Sequence, residues 1–212
     1  LFVDQGPVVQ VADGAGDREV LTDDAPGTVF DRPVVVLVDR FSASASEIVA
    51  GALQDYRRAV IVGTSPTHGK GTVQTLLPLR GGKYGSLKAT TASFYRITGS
   101  STQLRGVSSD IHLPSVFEYY SELGEDKLPN AMPWTRTGPA RYRRTDTLDE
   151  TIPVLAARSQ ERLEANERWQ KHMKLLERFA AFSTNRVVSL DFEERLKRAK
   201  EDEALSRELS LE

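Results

Sequence analysis

Pro33-Val34-Val35-Val36-Leu37-Val38, then Ala45-Ser46-Glu47-Ile48-Val49-Ala50-Gly51-Ala52-Leu53, then Ala59-Val60-Ile61-Val62-Gly63 is the stretch that decides the fold. The first run is continuously apolar and bounded by charge, as in a strand buried on both faces. In the second, Ala45, Ile48, Val49, Ala52, Leu53 and Tyr56 recur at helical spacing and form one apolar stripe. The third is again a short apolar run. Residues 33–63 therefore predict a β-α-β unit with parallel strands and a right-handed crossover. Outward from it, Pro7–Val11 reads as a strand and Asp13–Asp17 as a turn, while 71–79 and 86–97 carry further strand patterns. The fold class expected for this part is mixed α/β.

After about residue 117 the character changes. Residues 117–150 are polar and aromatic, with Pro129, Pro133 and Pro139, and read as an ordered connector. From Thr151 onward there are 12 basic and 12 acidic residues in 62, against 34 charged residues in the preceding 150. This denser but balanced charge accompanies helical spacing: Trp169, Met173, Leu176 and Ala180 share one face, and Phe192, Leu196 and Ala199 another. A pair of amphipathic helices packed on the α/β part is the plainer reading, and a partner-binding helical arm the sharper one. The division is 1–116 for the core, 117–150 for the connector and 151–212 for an α-helical region.

Composition bounds the function. The 212 residues carry 28 basic and 30 acidic side chains, a formal charge of −2, which offers no general surface for nucleic acid. A chain of this size buries about 70% of its unfolded surface and needs no disulfide or metal to fold. No apolar run approaches the roughly 18 residues of a membrane span. The absence of cysteine removes thiol nucleophiles and Cys-ligated zinc, and fits the cytosol and an oxidising envelope equally. His68, His112 and His172 are scattered without carboxylates at ligand spacing, so no metal or other cofactor is expected. The chain opens Leu1-Phe2-Val3, which reads as a mature or truncated start.

Chemistry concentrates in Phe41-Ser42-Ala43-Ser44-Ala45-Ser46-Glu47, at the junction of strand and helix. A helix N-terminus offers unpaired N–H groups and partial positive charge where an oxyanion would develop. A serine there suits a nucleophile. It equally suits a cap, and Ser44-Ala45-Ser46-Glu47 fits the S-x-x-E capping box. The basic group nearest in sequence is Lys70, in His68-Gly69-Lys70-Gly71. On a strand, Lys70, Thr72 and Gln74 share a face, so Gln74 could orient the Lys70 amine. A lysine among apolar strands is desolvated, and its neutral form can accept a serine proton. A surface lysine in a glycine turn is the plain alternative. A phosphate loop fails in detail, because five residues separate Gly63 from Gly69 and Gly71 stands where Ser or Thr would ligate magnesium. A Ser-His-Asp triad around His68 lacks an identifiable carboxylate.

These motifs resemble the carboxyl-terminal processing peptidases, in their bacterial tail-specific branch. The resemblance runs through Val34–Ile48, Ala52–Asp55 and Gly69–Gln74, then Ser101-Thr102-Gln103, Arg105-Gly106-Val107, Asp110-Ile111 and Met132-Pro133-Trp134, and extends to the charged helical tail. It implies a serine endopeptidase with Ser44 as nucleophile, Lys70 as general base, Gln74 orienting Lys70, and the Ala45 amide as one oxyanion donor. The Ser44-to-Lys70 stretch is one residue longer than usual for the family, and residues 64–67 would absorb it. The resemblance further implies polypeptide substrates with apolar C-termini, a periplasmic location, and a helical region able to dock a protein adaptor. The family's second oxyanion amide and its PDZ domain match nothing in these residues, so a C-terminal portion of weak or no activity alone is expected. The alternative is a non-catalytic polypeptide-binding module on a protease-like fold.

Overall fold

The computed structural model describes residues 2–120, 122–145, 148–184 and 189–210. Two sheets organise the first half. Strands β1 (Gly6–Asp13), β2 (Arg18–Asp23), β5 (Thr72–Pro78) and β6 (Ser86–Tyr95) form an antiparallel sheet in the order β2-β1-β6-β5. Strands β3 (Val34–Val38), β4 (Ala59–Gly63) and the short β7 (Ile111–His112) form a parallel sheet in the order β3-β4-β7. Helix α1 (Ala45–Asp55) connects β3 to β4, as the periodicity predicts.

The core lies where α1 meets the parallel sheet. Val38, Ala50, Leu53, Ala59, Ile61 and Val107 are buried together, with Phe2, Val34 and Val36 packed against them. Apolar burial of this kind contributes roughly 1.5–3 kcal/mol per large side chain. The two sheets are joined through α1. The Tyr56 hydroxyl at its end donates to the Pro7 carbonyl of β1 at 2.9 Å, and the Arg96 guanidinium donates to Gln54 at 2.9 Å and to Asp55.

One expectation is corrected. β3 is not buried on both faces: Val35 is 58% and Leu37 77% exposed, whereas Val38 is buried. Val35 and Leu37 point to the face opposite α1, which no layer covers among the described residues. An all-apolar run specifies strand but not whether a layer packs on each of its faces.

The helical region has three helices rather than two: α2 (Thr151–Glu164), α3 (Glu167–Thr184) and α4 (Phe192–Ser210). On α3 the predicted face is the packed one, and Leu176 on it is fully buried. On α4 the predicted face is open, with Phe192 72% and Leu196 40% exposed. No helix among the described residues is long and apolar enough to cross a membrane.

Candidate active site

The turn between β3 and α1 is built by its own side chains. The Asp39 carboxylate accepts from the Phe41 and Ser42 amides at 3.0 and 2.9 Å, an arrangement that reverses the chain in three residues. The turn ends at Ser44, whose φ of 58° and ψ of −111° lie in a region that costs a residue with a Cβ about 1–3 kcal/mol. Helix α1 begins immediately after it. The Ala45 N–H, first of that helix, has no hydrogen-bond partner among the described residues. The Ala45 residue lines an open apolar groove of about 440 Å³ together with Leu37, Ser42, Ser46 and Val49.

The second half of the site is the loop that leads from β4 into β5. It is laid against the serine turn by backbone and side chain together. The His68 amide donates to the Ser42 carbonyl at 3.0 Å, and the Arg40 guanidinium donates to the Thr67 carbonyl at 2.9 Å. The loop's other side is held by Gln103. Its Oε1 accepts from the Gly71 amide at 2.7 Å, while its Nε2 donates to Glu125 at 3.2 Å and the Met132 carbonyl at 3.1 Å. A side chain at position 71 would come within 2.5 Å of Ser101 Oγ and 2.7 Å of the Gln103 nitrogen, which explains the glycine.

The residue that joins the halves is Glu47, fully buried in the first turn of α1. Oε2 accepts from the Ser44 amide at 2.8 Å and from the Lys70 amide at 3.0 Å. Oε1 accepts from Thr67 Oγ1 at 2.6 Å and the Gly69 amide at 2.7 Å. Four donors converge on one buried carboxylate, which satisfies its charge without a cation. Sharing one oxygen places the Ser44 and Lys70 amide nitrogens within about 6 Å of each other. The capping-box spacing flags Glu47 in the sequence, but only for its bond to Ser44. Its three further partners, 20 to 23 residues away, leave no local signal.

The backbones of Ser44, Ala45 and Lys70 are thus brought together. The Lys70 amine donates to the Thr72 carbonyl at 2.7 Å. Gln74 stands farther along β5, exposed, beyond a register shift that sets Val73 against Ala92 but Gln74 against Thr90. Its side chain makes no hydrogen bond among the described residues. His68 does find a carboxylate the sequence conceals, since its Nε2 lies 3.4 Å from Glu125. His112, at the end of β7, pairs with Glu118 at 2.6 Å. No cluster of three or more potential metal ligands occurs among the described residues.

Two family descriptions divide the chain between them. Residues 1–113 match Peptidase family S41, and residues 119–211 match the C-terminal domain of tail specific protease. The chain is 43% identical over 148 residues to the tail-specific protease of Haemophilus influenzae, which spans 67% of this chain and 21% of that protein. It is 45% identical over 134 residues to the carboxy-terminal-processing protease of Bartonella bacilliformis, or 60% of this chain and 30% of that one. A solved structure, the photosystem II D1 C-terminal processing protease, superposes with a TM-score of 0.46 at 39% identity, covering 53% of this chain and 28% of its own. The chain therefore spans between a fifth and a third of the length of these curated relatives. With more than half of its residues inside the first match, the chain belongs to peptidase family S41.

Proposed function

We propose that this chain carries the catalytic dyad of a serine endopeptidase that acts on polypeptides with apolar C-terminal tails. Ser44 is the nucleophile, Lys70 the general base, and the Ala45 amide an oxyanion donor. The observation that carries the reading is the Glu47 carboxylate, which fastens the Ser44 and Lys70 backbones to one oxygen.

In the reaction, Ser44 Oγ attacks the scissile carbonyl carbon as the neutral Lys70 amine takes its proton. The negative charge that develops on the carbonyl oxygen falls to the free Ala45 N–H at the helix terminus. Lys70 then returns the proton to the leaving amine, and an ester remains on Ser44. A water molecule, deprotonated by the same amine, hydrolyses that ester. For this the amine leaves the Thr72 carbonyl for Ser44, and Gln74 is the side chain that orients it. The longer protein supplies a second oxyanion donor and the tail-recognition domain, and these 212 residues alone are weakly active or inactive. We place the protein in the periplasm, with the helical region as an adaptor-docking surface.

The bond from Lys70 Nζ to Thr72 favours a second reading, a polypeptide-binding module that holds tails without cutting them. The full-length protein distinguishes the two. Cleavage of an unfolded polypeptide with an apolar C-terminus is followed for wild type, Ser44→Ala and Lys70→Ala. The peptidase reading expects loss of cleavage in both variants with tail binding retained. Binding by wild type without cleavage would put the module in its place.

A further inference from the structure

The stretch that follows β7 is attached on both sides. Toward the candidate site, Glu118 Oε1 accepts from the Ser65 amide at 3.3 Å, and the Arg40 guanidinium donates to the Leu123 carbonyl at 3.1 Å and to Asp126 at 2.8 Å. Toward the helical region the contacts are aromatic. Phe41, three residues before Ser44, meets Phe117 edge-on, with centroids 4.9 Å apart and planes at 76°. Phe117 lies 6.1 Å from Tyr120, and Tyr120 lies 5.5 Å from Phe179 on α3. Leu176, on the same helix one turn earlier, is fully buried.

Four rings thus run in contact from α3 to the turn that carries the nucleophile. Phe41 is 55% exposed, and the Phe117 edge is its ring contact among the described residues. Phe117 in turn depends on Tyr120, which rests on Phe179. The Asp39 and Glu47 hydrogen bonds hold the backbone of this turn from beneath. The rings hold it from the outer side. A residue in a sparsely populated conformation, such as Ser44, persists only where its surroundings over-determine it.

We infer that Phe179, Tyr120, Phe117 and Phe41 form a positioning series through which the helical region holds the Ser44 turn in its reactive geometry. The inference rests on the Ser44/Lys70 reading above. None of the four is a catalytic residue; they act through the turn. Loss of one ring contact at this strength corresponds to about a two- to tenfold change in an equilibrium. Phe117 makes two such contacts and Phe179 one.

The test uses the full-length protein and steady-state cleavage of an unfolded polypeptide with an apolar C-terminus. Phe117→Ala is expected to lower kcat about tenfold or more, and Phe179→Ala about two- to fivefold, with KM inside about twofold of wild type. Phe117→Tyr, which restores the ring, is expected to recover kcat, and Phe192→Ala on the open face of α4 to leave it unchanged. A merely structural contribution would lower the folded fraction, and with it apparent kcat at unchanged KM, so kcat is taken per folded molecule from circular dichroism of the same preparation; a wild-type kcat per folded molecule in both Phe117→Ala and Phe179→Ala overturns the series. Phe117→Ala turning over at the wild-type kcat, or changing KM alone, overturns the series. Should Phe117→Ala not fold, wild-type kcat in both Phe179→Ala and Tyr120→Leu overturns it equally. Ser44→Ala runs alongside. If it cleaves like wild type, or if wild type does not cleave, the dyad reading falls and this inference with it. If only Ser44→Ala is inactive, the series alone fails.

Discussion

Glu47→Gln is the substitution whose cost the structure constrains most tightly, because the side chain is fully buried and all four of its partners are donors. The amide keeps the length and volume of the carboxylate but exchanges one acceptor for a donor. If the amide oxygen stays on Ser44 and Lys70, the NH₂ faces the Gly69 amide and the Thr67 hydroxyl. That hydroxyl can rotate to accept, but the Gly69 N–H cannot and is left unpaired in a buried site. The opposite rotamer strands two backbone amides instead, so the first one wins. One orphaned buried donor costs about 1–3 kcal/mol. The bonds that survive lose their charge assistance, adding about 1 kcal/mol. Glu47→Gln should therefore destabilise the fold by about 2–4 kcal/mol, and Glu47→Ala, which strands all four donors, by more. Equilibrium urea unfolding measures it as a lower midpoint at unchanged slope. In the full-length protein the Glu47→Ala variant, which removes the oxygen shared by the Ser44 and Lys70 backbones, should lower kcat about 100-fold. A Glu47→Gln unfolding free energy within about 0.5 kcal/mol of wild type would refute the claim that this carboxylate joins the halves of the site.

Three further outcomes are expected. Ser44→Gly should be more stable than Ser44→Ala by about 1–2 kcal/mol, since glycine adopts φ 58° without strain and both lack the hydroxyl; paired thermal melts decide it. Tyr56→Phe should cost about 1–2 kcal/mol near neutral pH, because it removes the buried donor to the Pro7 carbonyl. Burial first, and neighbouring Tyr142 second, hold the Tyr56 phenol above its ordinary value. Its contribution is whole below the unfolded value of about 10 and is lost as pH rises through the folded one, so the variant's stability should vary less with pH above about 10. Gly71→Ala should cost about 1–3 kcal/mol and lower kcat, because its Cβ drives Ser101 and Gln103 off the Lys70 loop; unfolding and cleavage measured on one preparation check both.

Much of the fold is legible because short-range pattern carries it. The period of Ala45–Tyr56 gives α1, and the apolar runs at 34–38 and 59–63 give its flanking parallel strands. The Ser44-x-x-Glu47 spacing marks the helix start and lies within the site itself. What the sequence conceals depends on residues that meet only after folding. The exposed face of β3 follows from the lack of a covering layer on that side among the described residues, which its composition does not record. Alternation along β5 puts Gln74 with Lys70 and Thr72, but a register shift against β6 lies between Val73 and Gln74. The proline-rich stretch after residue 117 looks like a connector because polar composition records none of its partners. Yet Glu118, Leu123, Glu125 and Asp126 all bond to the turn or loop of the candidate site or to the residues beneath it.

Ser44 and Glu47, three residues apart, are opposite in sign energetically. Ser44 sits in a conformation that costs about 1–3 kcal/mol, while Glu47 accepts four hydrogen bonds, each worth about 1.5–3 kcal/mol net when the acceptor is charged. Desolvating a carboxylate costs several kcal/mol, so the net gain from Glu47 is far smaller than the sum of its bonds. A fold selected for stability alone would replace the strained serine with glycine and the carboxylate with an apolar side chain. Keeping both makes sense only if the position of the Ser44 backbone relative to Lys70 matters more than the stability it forgoes. The carboxylate exerts its hold through the Ser44 and Lys70 amides and makes no hydrogen bond to Lys70 Nζ. An anchor that grips the main chain and makes no bond to the Lys70 amine suits the proposed base, since that amine has to leave the Thr72 carbonyl to reach Ser44 while the two backbones stay fixed.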